Sequence, residues 1–245
     1  MVVTTRTVEI TGAGAKLRAI AIAPKNDEKY PGVLVYSDIF QNTNAHLRVC
    51  TRIASHGFNV VTPEIWNRFE PAGTAIAFDD SGRTRGLENA KKTAAAQHDA
   101  DCRATLDWLK ADARTKSDDG VAVMGFCIGG HLAFRAALQP DVRASVCFYP
   151  TGVHNGALGS DPDAGTLQRV AEIKGTLLLV YGTKDPHVPE DARAKIDAAL
   201  KKAGTRFETA FYETEHAFMR DEGPRWDPEA TDRAFERALS FVRRA

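Results

Sequence analysis

Three residues of this chain could work together as a nucleophile, a base and the acid that orients the base. Cys127 is the centre of Gly125-Phe126-Cys127-Ile128-Gly129, a Gly-x-nucleophile-x-Gly pentapeptide with a thiol where most such motifs carry a hydroxyl. Asp185 follows the apolar run Leu177–Tyr181, in Gly182-Thr183-Lys184-Asp185, and His216 follows Phe211-Tyr212-Glu213-Thr214-Glu215. Nucleophile, then acid, then histidine is the order expected when the nucleophile rides a strand-to-helix turn of an open parallel sheet. The chemistry would be acyl transfer, with the thiolate attacking a carbonyl and the imidazole moving the proton.

Each residue also has a plain structural explanation. Cys127 could be a small buried residue at a glycine-rich strand end, Asp185 a turn acid and His216 a loop histidine. Their joint placement at the carboxyl ends of three strands, where open sheets gather their reactive groups, favours the chemical reading. His187, two residues past Asp185, is the second candidate for the base. His131 falls inside the helix after the turn, and His46, His56, His98 and His154 have no strand-end placement.

A nucleophile on such a turn needs a strand before it, small flanking residues and a helix immediately after it. Gly120–Gly125 reads as the strand, Gly125 and Gly129 as the small flanks, and Gly130-His131-Leu132-Ala133-Phe134 as the helix. The helix N-terminus favours a thiolate and lowers a cysteine below its free value of about 8.5. The backbone N–H of Ile128, and that of Ile39 from the loop after an early strand, are the expected pair of oxyanion donors.

The other elements fit around this turn. Leu17–Ala23, Val33–Ser37, Phe58–Thr62, Ala144–Phe148, Thr176–Tyr181 and Phe207–Tyr212 read as strands. Several are unbroken apolar runs, as parallel strands covered on both faces should be. Ala45–His56, Ala90–Ala113, Pro189–Ala203 and Asp227–Arg244 read as helices, and residues 66–88 as a long surface loop. Thr11–Ala15, TGAGA, signals a hairpin turn rather than a phosphate loop, because its glycines open no helix after a buried strand. The alternation predicts an α/β fold, with a mostly parallel, doubly wound sheet flanked by helices, and one domain across residues 1–245.

Bulk properties narrow the function. At 245 residues and 43% hydrophobic, the chain can bury one sizeable core. Its 32 basic and 32 acidic residues cancel, so no basic field would hold nucleic acid. Mean hydropathy is −0.30 and no apolar run approaches the roughly 18 residues of a membrane span. The opening MVVTTRTVEI lacks a signal-peptide pattern, and the expected location is the cytoplasm. Cysteines 50, 102, 127 and 147 form no C-x-x-C pair and no zinc-type cluster. Free thiols, no metal and no cofactor are expected, the chemistry being hydrolysis. The expected partner is a small molecule, with no nucleic acid and no membrane, and the oligomeric state is left open, a monomer included.

These residues resemble the dienelactone hydrolase family (carboxymethylenebutenolidases) of the α/β-hydrolase fold. The resemblance is carried by Asp38-Ile39-Phe40, by Pro63-Glu64-Ile65-Trp66-Asn67-Arg68 with Pro71-Ala72-Gly73-Thr74, by the cysteine turn, by Asp185 in GTKDPHVP, and by His216-Ala217-Phe218-Met219-Arg220. It implies a hydrolase that opens a small carboxylate-bearing lactone through a thioester acyl-enzyme, in the degradation of aromatic compounds. Cys127 would be the nucleophile, His216 the base and Asp185 its orienter. Asp38 would take the place of a family glutamate that helps activate the thiol, and Arg68 and Arg220 would bind the substrate carboxylate. Two alternatives stand beside this reading: a broader small-molecule carboxylesterase or thioesterase with the same three residues, and a catalytically silent binding protein on the same scaffold.

Overall fold

A computed structural model describes residues 1–12, 15–116, 118 and 120–245. Its elements run β1 (Val3–Gly12), β2 (Ala15–Pro24), β3 (Tyr30–Tyr36), α1 (Asn44–Ser55), β4 (Asn59–Pro63), α2 (Asp80–Lys92), α3 (Ala95–Ala111), β5 (Thr115–Lys116), β6 (Val121–Phe126), α4 (Ile128–Ala136), β7 (Val142–Phe148), β8 (Thr176–Gly182), α5 (Glu190–Ala203), β9 (Phe207–Tyr212) and α6 (Pro228–Arg244). One sheet has the strand order β1-β2-β4-β3-β6-β7-β8-β9, with the short β5 beside β3. From β4 through β9 every pairing is parallel, and β1 and β2 extend the edge as an antiparallel ribbon. Gly12 faces Ala15 across the hairpin, while Ala13 and Gly14, at the centre of the expected turn, lie outside the described residues.

The central strand β6 is apolar along its whole length because helices cover both faces, whereas the edge strand β9, FETAFY, is only half-buried. All six residues of β6 are buried, and alternate residues feed opposite cores. Val121 and Val123 join a core built with Leu106 and Leu109 of α3, Leu132 and Phe134 of α4, and Ile196 and Leu200 of α5. Ala122 and Met124 join the other, with Ile53 of α1 and Phe235, Leu239 and Val242 of α6. This is the expected doubly wound layering of the α/β-hydrolase fold.

From β3 the chain crosses to β4 on one side, and from β6 it crosses to β7 on the other. The carboxyl ends of β3 and β6 therefore border the crevice where an open sheet switches winding direction, the place where such sheets bind ligands. The loop after β3 begins with Ser37-Asp38-Ile39, and the turn after β6 is Cys127.

Two readings of the sequence need correction. Residues 66–88 are not loop throughout, since α2 begins at Asp80, with the Asp79 side chain accepting from the Gly82 N–H at 2.7 Å. The helix expected over Ala90–Ala113 is instead the end of α2 and the whole of α3. Thr93 and Ala94 adopt extended backbone between them, and the Gln97 side chain accepts from the Ala94 N–H at 2.8 Å to restart the helix. Alanine-rich sequence with good helix propensity on both sides hides a break made by capping. Among the described residues no helix is long and apolar enough to cross a membrane.

Candidate active site

Cys127 caps α4 with φ 59° and ψ −119°, a conformation that costs a non-glycine residue energy and turns its side chain out of the sheet. Close backbone passage explains the flanking glycines. A Cβ on Gly125 would stand 1.9 Å from the Gly129 carbonyl oxygen, and one on Gly129 would stand 2.2 Å from the Ser37 carbonyl oxygen. The four described non-glycine residues with positive φ are Gln41, Cys127, Tyr149 and Ala217. They follow β3, β6, β7 and β9, so local strain gathers at one rim of the sheet.

At this rim His216 and Asp185 meet. The Nδ1–H of His216 donates to Asp185 Oδ2 at 2.7 Å, and both side chains are buried. Asp185 Oδ1 accepts from the His187 backbone N–H at 2.8 Å, which holds the carboxylate across its loop. Burial opposes a charged His216, but the thiolate of Cys127 and the hydrogen bond to Asp185 outweigh it and lift its pKa to about 9. Burial likewise opposes the thiolate, and the His216 charge, a hydrogen bond from His216 and the Ile128 N–H outweigh it, so the Cys127 thiol falls below its ordinary value. Burial pushes the Asp185 carboxyl up, yet its bond to His216 brings it below the usual range. Both shifts favour a thiolate beside an imidazolium, the pairing suited to attack on an activated carbonyl and return of a proton to a leaving oxygen. Burial instead raises the thiols of the other three cysteines, including Cys50, whose sulfur is 3.4 Å from Nε2 of the likewise buried His46.

A cavity of about 580 Å³ opens over the sulfur. Cys127, Ile128, Ile39, His216, Asp38 and Arg220 all line it. Asp38 does not bond the thiol. Its Oδ1 accepts from the Phe40 N–H at 3.0 Å, and its Oδ2 is ion-paired with Arg220. The Arg220 guanidinium lies between two aromatic rings, 4.8 Å from the centre of Phe40 and 4.6 Å from that of Phe78, and its Nη1 is buried without a partner. Arg68 is not among the cavity residues. It forms a two-pronged ion pair with Asp101 of α3, at 2.5 and 2.8 Å. Its place in the sequence, just after Trp66, gives no hint of that carboxylate 33 residues away.

The remaining histidines separate clearly. His131, fully buried in α4, bonds Thr151 O at 3.0 Å and Thr166 Oγ1 at 2.8 Å, which makes it part of the scaffold. His187 does reach the cavity, with its ring edge-on to His216 at 4.7 Å between centres. Asp185, however, spends its second oxygen on the backbone of His187 rather than on its ring, so only His216 has an orienting carboxylate.

Four polar or apolar residues show how sequence reasoning missed parts of the cavity lining. Thr151, whose hydroxyl is 3.9 Å from the sulfur, follows β7, and the strand-end rule could have found it. Arg83 and Leu87 lie on the helix hidden in the presumed loop, and Arg225 stands in the segment before α6. No local signal marks these three. Among the described residues no group of three or more His, Cys, Asp or Glu side chains is arranged to hold a metal.

Comparison with known proteins bears on this geometry. A model of the dienelactone hydrolase family matches residues 17–245. A Saccharomyces cerevisiae protein provisionally named a carboxymethylenebutenolidase is 36% identical over 224 residues, 86% of this chain and 80% of the relative. The carboxymethylenebutenolidase of Pseudomonas sp. strain P51 is 29% identical over 214 residues, 87% of this chain and 84% of the relative. A Klebsiella pneumoniae crystal structure provisionally named a dienelactone hydrolase superposes with a TM-score of 0.85 over 100% of both chains at 23% identity, which extends the likeness to the fold. The chain therefore belongs to the dienelactone hydrolase family and is a hydrolase of lactone or ester bonds.

Proposed function

We propose that this hydrolase opens a small carboxylate-bearing lactone, dienelactone-like, through a thioester on Cys127. The observation that carries the proposal is the thiol of Cys127 at the cavity floor beside an imidazole that is itself bonded to a carboxylate at 2.7 Å.

The thiolate attacks the lactone carbonyl, and the electron pair of the C=O moves onto oxygen. That oxyanion is received by the N–H of Ile128, in the first turn of α4, and by the N–H of Ile39. Losing one such donor typically costs about 3 kcal/mol of barrier. As the tetrahedral species collapses, the ring C–O bond breaks and His216 gives its proton to the departing enolate oxygen. Neutral His216 then takes a proton from water, the hydroxide attacks the thioester, and the C–S bond breaks to restore the thiolate. Asp185 keeps the proton on Nδ1, so Nε2 is the nitrogen that faces the reacting atoms. A thiolate leaves more readily than most amines, so esters and lactones are favoured over amides.

A broader carboxylesterase shares all three residues. It gains support from the internal pairing of Arg68 with Asp101 and of Arg220 with Asp38, because both arginines that the family resemblance points to are already partnered. The silent-scaffold alternative is not favoured by any contact at the site.

The test is iodoacetamide labelling of Cys127 against pH, together with turnover of cis- and trans-dienelactone, a neutral lactone and simple aryl esters by wild type and Cys127→Ser. Rapid labelling below about pH 8 and loss of turnover in the serine variant support the proposal. A thiol inert below its ordinary value, or full turnover without the sulfur, refutes it.

A further inference from the structure

We infer, resting on the hydrolase reading of Cys127, that Gln41 and Trp66 are positioning residues that fix the backbone N–H of Ile39 as the second oxyanion donor. Neither lines the cavity. Both act on the turn over residues 38–41, which follows β3 and brings Asp38, Ile39 and Phe40 to the cavity wall.

Almost every backbone group of this turn is engaged. The carbonyls of Asp38, Phe40 and Gln41 accept from the N–H groups of Gln41 at 3.0 Å, Ile76 at 3.0 Å and Thr43 at 2.8 Å. The Ile39 carbonyl accepts from the Trp66 indole N–H at 2.9 Å. The Phe40 N–H donates to Asp38 Oδ1 at 3.0 Å. The Ile39 N–H is different, since it has no acceptor among the described residues. In a trans peptide the C=O and the N–H point in opposite directions. The bond from Gln41 N–H to Asp38 O therefore turns the Ile39 N–H away from the turn. A segment this fully bonded, with one donor left open at a cavity wall, is built to give that donor to a ligand.

Gln41 holds the turn in two ways. Its backbone has φ 64°, in the left-handed region where a side chain brings strain. Its side chain is buried and bonded at both ends. Oε1 accepts from the Trp66 backbone N–H at 2.8 Å, and Nε2 donates to the Thr74 carbonyl. These buried bonds offset the strain and tie the turn to the segment between β4 and α2. Trp66, also buried, reaches back from that segment to the Ile39 carbonyl. That carbonyl lies against α2 as well, where a Cβ on Gly86 would stand 2.4 Å from it. On the other side, the Ser37 carbonyl seats against Gly129 in the first turn of α4, next to the Ile128 donor. Both donors thus sit on one rigid frame before any charge develops, which is what makes an oxyanion hole effective.

A purely structural role for Gln41 and Trp66 has a different signature. A looser fold slows every reaction of Cys127, whereas a misaimed Ile39 N–H slows only reactions that place charge on a carbonyl oxygen. The experiment uses Gln41→Gly and Trp66→Phe. Glycine adopts a positive φ without strain, so the first variant removes only the two side-chain bonds. Phenylalanine keeps an aromatic ring in the core and removes the indole N–H. Each protein is assayed for turnover of 4-nitrophenyl acetate and for iodoacetamide labelling of Cys127 against pH. Displacement of iodide needs the thiolate but no oxyanion donor. Formation and hydrolysis of the thioester both pass through an oxyanion, so kcat falls whichever step limits it. Each variant should lose about tenfold or more in kcat, with KM and the labelling profile as in wild type. Gln41→Gly alone decides the matter if the Trp66→Phe core does not fold. Wild-type kcat in the folded variants, a loss carried by KM, or a fall in labelling that matches the fall in kcat overturns the inference. Failure of the underlying reading looks different, because Cys127→Ala would then still cleave the ester.

Discussion

Asp185→Asn is the sharpest perturbation of the site, because its two oxygens have separable duties. Oδ1 accepts from the His187 backbone N–H at 2.8 Å and Oδ2 accepts from His216 Nδ1–H at 2.7 Å. Asparagine offers one acceptor and one donor. A backbone N–H can only donate, so the amide oxygen must stay with His187 and the amide nitrogen must face His216. Nδ1 then has to be bare, and the proton moves to Nε2, the side that should receive protons. Raising His216 from 6.5 to about 9 corresponds to about 3 kcal/mol in favour of its cation. The Cys127 thiolate and Asp185 share that support, and turning one acceptor into a donor removes roughly half of it or more. The imidazolium should weaken by about one pH unit, and with it the thiolate. Adding the tautomer error, kcat/KM should fall about 100-fold or more, while the fold persists through the retained loop bond. Thiolate absorbance in the ultraviolet and iodoacetamide rate, each followed against pH, report the ion pair directly. If Asp185→Asn titrates like wild type and loses less than about threefold in kcat/KM, the ion-pair reasoning is wrong.

Three further outcomes follow from the same geometry. The wild-type rate against pH should be a bell: it rises as the thiol, held below its ordinary value, ionises, and falls near pH 9, where His216 loses the proton it must deliver. A rate that climbs steadily through pH 9 would contradict this. Gly129→Ala should cost about 1–3 kcal/mol or more in thermal or denaturant unfolding and should abolish turnover, because the new methyl would meet the Ser37 carbonyl at 2.2 Å. Soluble, fully active Gly129→Ala protein would show that the turn can relax. Thr151→Val should raise the thiol pKa and slow iodoacetamide labelling severalfold at neutral pH, with Thr151→Ser restoring most of the rate, since the hydroxyl is among the groups favouring the thiolate. Equal rates in all three proteins would remove Thr151 from the mechanism.

The local and periodic features of this protein were legible in its residues alone. Val121–Phe126 and Thr176–Gly182 carry the apolar runs of parallel strands, Phe207–Tyr212 has the pattern of a half-buried one, and the reactive side chains follow these strands because strand ends are where an open sheet exposes side chains to a crevice. Gly125 and Gly129 could be read as turn residues because the turn is a feature of five consecutive residues. Tertiary structure alone decided the partners of the charges. Arg68 finds Asp101 on α3, Arg220 finds Asp38 at the far end of the chain, and Arg83 and Arg225 line one cavity although 142 positions separate them. The break at Thr93–Ala94 belongs to the same class, since neighbouring residues have good helix propensity on both sides and only capping and packing against the sheet divide them. The physical reason is common to all of these. Hydrophobic periodicity and turn sterics are written over a few residues, whereas an ion pair depends on which surfaces the folded sheet brings within a few ångströms, and sequence spacing carries almost no information about that.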